Sequence, residues 1–140
     1  MGIFNKLFNK KNKEVVNTSD IIKDIDYKEG TLFAQNDTNK IYIDIEELGG
    51  FPYLKTVLIG DTKVNIKRKG CSISFILNNE EILLDSDNTT VESNQINKSG
   101  VHYTPIDFEL DEEQAKKIQS HKVTEVKYTF KNTILTFKTV

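Results

Sequence analysis

Ile41-Tyr42-Ile43-Asp44-Ile45 sets an isoleucine at every second position, with an aromatic or charged residue between. A period of two puts the three isoleucines on one face of an extended chain and Tyr42 and Asp44 on the other. The same period returns in Val64 and Ile66, in Ile73, Phe75 and Leu77, in Ile106, Phe108 and Leu110, and in Val126, Tyr128 and Phe130. Strands with one apolar face and one wet face belong to antiparallel sheets.

Between these runs stand Asn36-Asp37-Thr38-Asn39, Gly49-Gly50, Gly60-Asp61, Lys69-Gly70, Asn78-Asn79 and Lys131-Asn132. Gly and Asn accept the positive φ that tight hairpins need. Strand runs closed by such turns predict a mainly β domain, an antiparallel β-sandwich or open barrel of about eight strands. One short helix interrupts them near residues 111–120. Asp111 is placed to cap it, Gln114 stands three residues on to complete a capping box, and Glu112 and Glu113 suit the positive end of its dipole. Ala115, Ile118 and the stem of Lys122 supply a narrow apolar stripe, so the helix is expected to close one end of the sheet.

Outward from this body, charge divides the chain. Residues 1–14 carry Lys6, Lys10, Lys11 and Lys13 against Glu14, a net of +3, and the remainder carries 15 basic and 20 acidic residues, a net of −5. Ile3, Phe4, Leu7 and Phe8 recur at helical spacing with Lys6 and Lys10 across the turn, which predicts a short amphipathic N-terminal helix. Residues 1–19 therefore read as a basic segment and linker, and residues 20–140 as a single β-rich domain. Ile21, Ile22 and Ile25 suggest a brief helix capped by Ser19 or Asp20.

The chain of 140 residues fits one domain, and 37% hydrophobic with 29% charged residues describes a thin core under a surface of both signs. Apolar runs such as Val57-Leu58-Ile59 are three residues long, against about 20 for a membrane span. The N-terminus lacks the pattern of a secretory leader, and Cys71 is the sole cysteine, so no intramolecular disulfide forms. A cytoplasmic protein is expected. Eighteen of nineteen basic residues are lysine, Arg68 being the exception, and Asn and Ile abound, which reads as an AT-rich bacterial genome. Scarce arginine argues against specific nucleic-acid recognition, which leans on the guanidinium fork.

Reactive machinery is not visible. No G-x-S-x-G elbow, P-loop, G-x-G-x-x-G turn or H-E-x-x-H pair occurs. His102 and His121 are the only histidines and would need to meet in space to act together. Cys71 reads as a small buried core residue. Asp85-Ser86-Asp87-Asn88 starts like a calcium loop, but Thr90 stands where glycine is needed and Ile96 where glutamate is needed. No catalytic, cofactor-binding or metal-binding residue is assigned, and no cofactor.

Two surfaces remain as candidates. Phe51 and Tyr53 flank Pro52, and His102 and Tyr103 lie just before Pro105, so these four side chains form a candidate ligand or partner rim at edges or loop ends. Asp107, Glu109, Asp111, Glu112 and Glu113 form a candidate acidic patch for a basic partner. The expectation is a non-enzymatic domain that binds a protein partner, a toxin-neutralising immunity protein being one version. A first alternative is a peripheral inner-membrane protein held weakly through Ile3, Phe4, Lys6, Leu7, Phe8, Lys10 and Lys11. A second is an enzyme whose site assembles from distant residues, such as His102 with an acidic neighbour.

Overall fold

The computed structural model describes residues 27–67, 71–87, 90–96 and 100–140. The amphipathic N-terminal segment with its contact residues Ile3, Phe4, Lys6, Leu7, Phe8, Lys10 and Lys11 lies outside them, as do the Ile21-Ile22-Ile25 helix and the Lys69-Gly70 turn.

The strands are β1 Thr31–Gln35, β2 Asn39–Leu48, β3 Phe51–Gly60, β4 Asn65–Ile66, β5 Ser72–Leu77, β6 Glu80–Asp85, β7 Val91–Glu92, β8 Asn94–Ile96, β9 Val101–Glu109, β10 Glu125–Phe130 and β11 Thr133–Thr139, with the period-two runs of the sequence falling on β2, β4, β5, β9 and β10. Nine of them form one antiparallel sheet in the order β6-β5-β10-β11-β1-β2-β3-β9-β8, and β4 pairs with β7 in a small ribbon. The sheet curls into a half-barrel, the open-barrel alternative of the two β architectures. Its ends approach each other where Ser86, just past β6, bridges Phe108 of β9 and the Asp87 N–H donates to the Asp107 carbonyl at 2.7 Å.

Curling gives the isoleucines and aromatics of alternate positions a common interior. Ile41 and Ile43, Leu54 and Leu58, Ile73 and Phe75, Ile106 and Phe108, Val126, Tyr128 and Phe137 are buried there in one cluster. The Tyr128 ring stacks on Phe130 at 5.4 Å between centroids and meets Phe108 and Phe137 at 6.2 and 6.3 Å. Its hydroxyl sits deep in this apolar space, where an unmade hydrogen bond is costly. It is matched by Thr56, whose own hydroxyl donates to the Ile106 carbonyl at 2.8 Å. The relay Tyr128 to Thr56 to Ile106 links strands β10, β3 and β9 through the centre.

Helix α1, Glu112–Ile118, closes one end. The capping box forms as its residues imply: the Gln114 N–H donates to Asp111 Oδ1 at 2.7 Å and the Asp111 N–H to Gln114 Oε1 at 2.9 Å. Ala115 and Ile118 are buried against the core, and Val123 completes the stripe while Lys122 stays exposed. The other end is filled by Val64, by Ile66 of β4 and by Val91 of β7.

Both prolines sit where no ladder bond is lost. Within antiparallel strands the polar groups of alternate residues point to alternate sides, so Pro52 faces the β9 side one residue past the last β3–β9 pair, Tyr53↔Glu109. Pro105 faces the outer edge of β9 between β8, which pairs as far as Tyr103, and the Asp87 contact at Asp107. Gly60 is required by close approach: a Cβ there would overlap the Thr38 carbonyl and the Asn39 side chain. Asn39 is buried and ties the corner, donating to Thr62 Oγ1 at 3.0 Å and accepting from the Thr62 N–H at 3.3 Å.

Two measurements check this packing. Gly60→Ala should cost about 1–3 kcal/mol in urea denaturation, because backbone must move to admit one methyl. Thr56→Val should cost about 1–3 kcal/mol by orphaning the Tyr128 hydroxyl, and adding Tyr128→Phe to it should recover most of that loss. A double variant as unstable as Thr56→Val alone would show that the hydroxyl pair is not what the substitution breaks.

Candidate interaction face on β2, β3 and β9

The side chains that do not enter the interior form ordered rows across the outside of β2, β3 and β9. The register sets Lys40, Ile59 and Tyr103 abreast, then Tyr42, Val57 and Pro105, then Asp44, Lys55 and Asp107, then Glu46, Tyr53 and Glu109. Leu48 and Phe51 stand abreast at the end, on either side of the two-residue Gly49-Gly50 turn. Those glycines take φ of 64° and 86°, the left-handed geometry that lets two twisted strands reverse in two residues.

The face therefore has three zones. At one end Tyr42, Val57, Ile59 and Val101 form a second apolar cluster, packed by Leu32, Tyr103 and Tyr27. The Tyr27 ring lies 5.3 Å from Tyr42 and 5.8 Å from Tyr103, and the Tyr27 and Tyr103 hydroxyls are 3.4 Å apart. The middle is a polar belt with four carboxylates, Asp44, Glu46, Asp107 and Glu109, around the single ammonium of Lys55. At the tip Leu48 and Phe51 are 71% and 75% exposed, two large apolar side chains in contact with water. A shallow cleft continues from Gly50, Phe51 and Pro52 over Glu109 to Asp111, Glu112 and Glu113 at the start of α1.

Electrostatics in the belt is crowded. Tyr53 donates its hydroxyl to Glu46 Oε1 at 3.0 Å, and Lys55 Nζ is 4.0 Å from Glu46 Oε2. Asp44 and Glu46 share a hydrogen bond; it raises the Asp44 carboxyl above its ordinary range, burial adding to the effect, and it lowers Glu46. One proton thus serves two neighbouring carboxyls, and Asp44 holds it longer as pH rises. Asp107 is also raised, chiefly by burial, with the Lys55 charge opposing.

Of the rim proposed from sequence, Phe51, Tyr53 and Tyr103 share this outer face, but they do not meet. Tyr103 pairs with Ile59, eight residues along β3 from Phe51, or about 26 Å at strand rise. His102 points to the opposite side of β9 from Tyr103, beside Gly60, with its Nδ1 buried and without a hydrogen-bond partner among the described residues. The acidic patch is brought to the Phe51 tip, and Asp44, Glu46, Leu48 and Lys55 join it unannounced. The signal for the first three was the second parity of β2, Tyr42-Asp44-Glu46-Leu48, which alternation alone assigns to water, while Lys55 comes from β3 through the register.

A second concavity of about 410 Å³ opens beside β2, because β1 pairs with it no farther than Thr31↔Ile43. Phe33, Ile43, Ile45 and Ile118 line it, with Asp44 and His121 at its border. His121 follows α1 and so lies at the Glu109 end of β9, whereas His102 lies near the start of that strand. The two histidines are kept at opposite ends of the fold. Cys71 is buried in the core as the sequence implied, and burial pushes its thiol up to about 12, leaving little thiolate at neutral pH. Among the described residues no group of three or more His, Cys, Asp or Glu is placed to hold a metal ion, and no helix is long and apolar enough to cross a membrane.

Comparison of the chain with protein-family models, with curated proteins and with solved structures finds no match.

The raised Asp107 carboxyl sets a pH dependence. A folded pKa above the ordinary 3.8 means that the ionised form costs the fold stability, fully above the raised value and not at all below about 3.8. Asp107→Asn should therefore raise the urea midpoint at pH 7, and the gain should vanish as pH falls through the carboxylate range. An unchanged midpoint at pH 7 would show that Lys55 fully offsets the burial.

Proposed function

We propose that this chain is a non-enzymatic protein-binding domain of a bacterial cytoplasm, which holds a basic protein surface against the outer face of β2, β3 and β9. The observation that carries the reading is the row of Leu48 and Phe51 standing exposed directly beyond a belt of four carboxylates and one lysine. Exposed aromatic and aliphatic anchors desolvate well and supply binding energy, while rim charges set partner sign and encounter rate. A basic surface with an apolar notch is the complement. An immunity protein covering the cationic active site of a toxin is one concrete form of such a partner.

Chemistry on the described side chains favours binding over catalysis. The thiol is buried, the two histidines lie apart, and neither meets the carboxylates of the belt as a nucleophile meets a base.

The reading is tested with the full chain and a fluorescein-labelled peptide in which leucines alternate with lysines. Binding should appear at low ionic strength and weaken with salt. Leu48→Ser with Phe51→Ser should weaken it by about tenfold or more. Glu46→Gln with Glu109→Gln should weaken it a few-fold and flatten its salt dependence. Leu83→Ser, which removes an exposed leucine from β6, should leave it unchanged. Equal binding by all four proteins, or none, would overturn the assignment of this face.

A further inference from the structure

We propose that the resting occupant of this outer face is the chain's own N-terminal segment, residues 1–14, which docks on it in cis and competes with any basic partner. The proposal rests on the reading of the face as a basic-partner surface, and it names a ligand that the molecule already carries.

Chemical complementarity is the first argument. The segment has four large apolar side chains, Ile3, Phe4, Leu7 and Phe8, interleaved with Lys6, Lys10 and Lys11, and a net charge of +3. The face offers the converse in the same order: an apolar pair, Leu48 and Phe51, then Glu46 and Glu109 on either side of Tyr53, then Asp44 and Asp107 on either side of Lys55, four carboxylates against one ammonium. Successive rows on one face are about 7 Å apart along a strand, and one helical turn rises about 5.4 Å. Lysines a turn or two from the apolar residues therefore fall over the belt when those residues sit on the tip. A segment this short is marginal as a helix in water alone, and the face supplies the surface it lacks.

Tether length is the second argument. The described chain begins at Tyr27, whose ring lies on Tyr42. Tyr42 is on the same face of β2 as Leu48 and six residues from it, about 20 Å. Residues 15–26 separate the segment from Tyr27, and twelve residues span up to about 40 Å when extended. Twelve residues are thus long enough to reach the tip, and a tether of this length gives an effective concentration on the order of millimolar. Even a weak contact would then be largely formed within one molecule while remaining displaceable by a tighter partner.

The test uses the full chain with Asn9→Cys carrying a nitroxide, Cys71 being buried and unreactive. Amide NMR signals of residues 46–53 should broaden, equally at low and high protein concentration. Lys6→Glu, Lys10→Glu and Lys11→Glu together should restore those signals and tighten binding of the leucine-lysine peptide by about tenfold. No broadening, or broadening confined to other surfaces, overturns the proposal. Broadening that disappears on dilution makes a second copy the occupant, and label immobilised only by phosphatidylglycerol vesicles makes a membrane the occupant; both overturn docking in cis. The peptide separates the two readings. Equal peptide binding with native and charge-reversed segments leaves the face a partner surface and removes the segment from it. Broadening at residues 46–53 without peptide binding to either form leaves the segment as internal packing and removes the partner.

Discussion

Eight of the nine strands, β8 apart, bury a row of side chains among the described residues, and laid flat they would leave those rows in water, so the sheet curls around them. The curl stops at a half-barrel, and one bridge between Ser86 and Phe108 brings the chain just past β6 to β9. Inside, the aromatic cluster of Tyr128, Phe108, Phe130 and Phe137 fills the space that a curled sheet of this size encloses. Removing rings of this size from water is the dominant favourable term in folding, and the Tyr128 hydroxyl is tolerated because Thr56 and the Ile106 carbonyl receive it in sequence. Every strand position elsewhere follows from which side of this interior it faces.

Once the inner rows are committed, the outer rows are free to differ, and they do. Over β2, β3 and β9 the outer surface changes from apolar to acidic to apolar along some 20 Å of strand, with Tyr27 covering the first zone. The two hairpin glycines matter to this pattern because a two-residue reversal leaves no loop to shield its flanking positions. Leu48 and Phe51 are consequently presented directly at the tip of the hairpin, open to whatever meets them.

How much of this was legible follows from the range of the interactions. Alternation in residues 41–45, 73–77 and 126–130 is local and marked strands and their buried parity directly. The capping box of Asp111 and Gln114 is local too, and it formed atom for atom. Register between β3 and β9 is not local: nearly fifty residues separate Thr56 from Ile106, and nothing near Tyr103 announces that it pairs with Ile59. The aromatics beside Pro52 and Pro105 looked alike in sequence, yet each proline answers a different gap in the ladder, and its neighbours fall at opposite ends of one face. The Lys131 turn shows the same limit on a smaller scale, since Lys131, with φ 52°, takes the left-handed conformation that Asn132 seemed better suited to.

Stability alone gives no reason for the belt. Like charges across neighbouring strands are mildly destabilising, and opposite pairs are mildly favourable, so a face selected only for folding would alternate sign across the rows. The row of Asp44, Lys55 and Asp107 does alternate, but the next row sets Glu46 and Glu109 on either side of a tyrosine with no cation between them. The hydrogen bond between the Asp44 and Glu46 carboxyls raises the first and lowers the second, and Tyr53 donates to Glu46 where a second lysine would have neutralised it. A folded state that sets four carboxylates around one lysine beside two exposed apolar side chains gains by bringing a cation and an apolar surface to it together. The same excess makes the gain sensitive to salt and to protonation of Asp44, because both reduce the field that the cation meets.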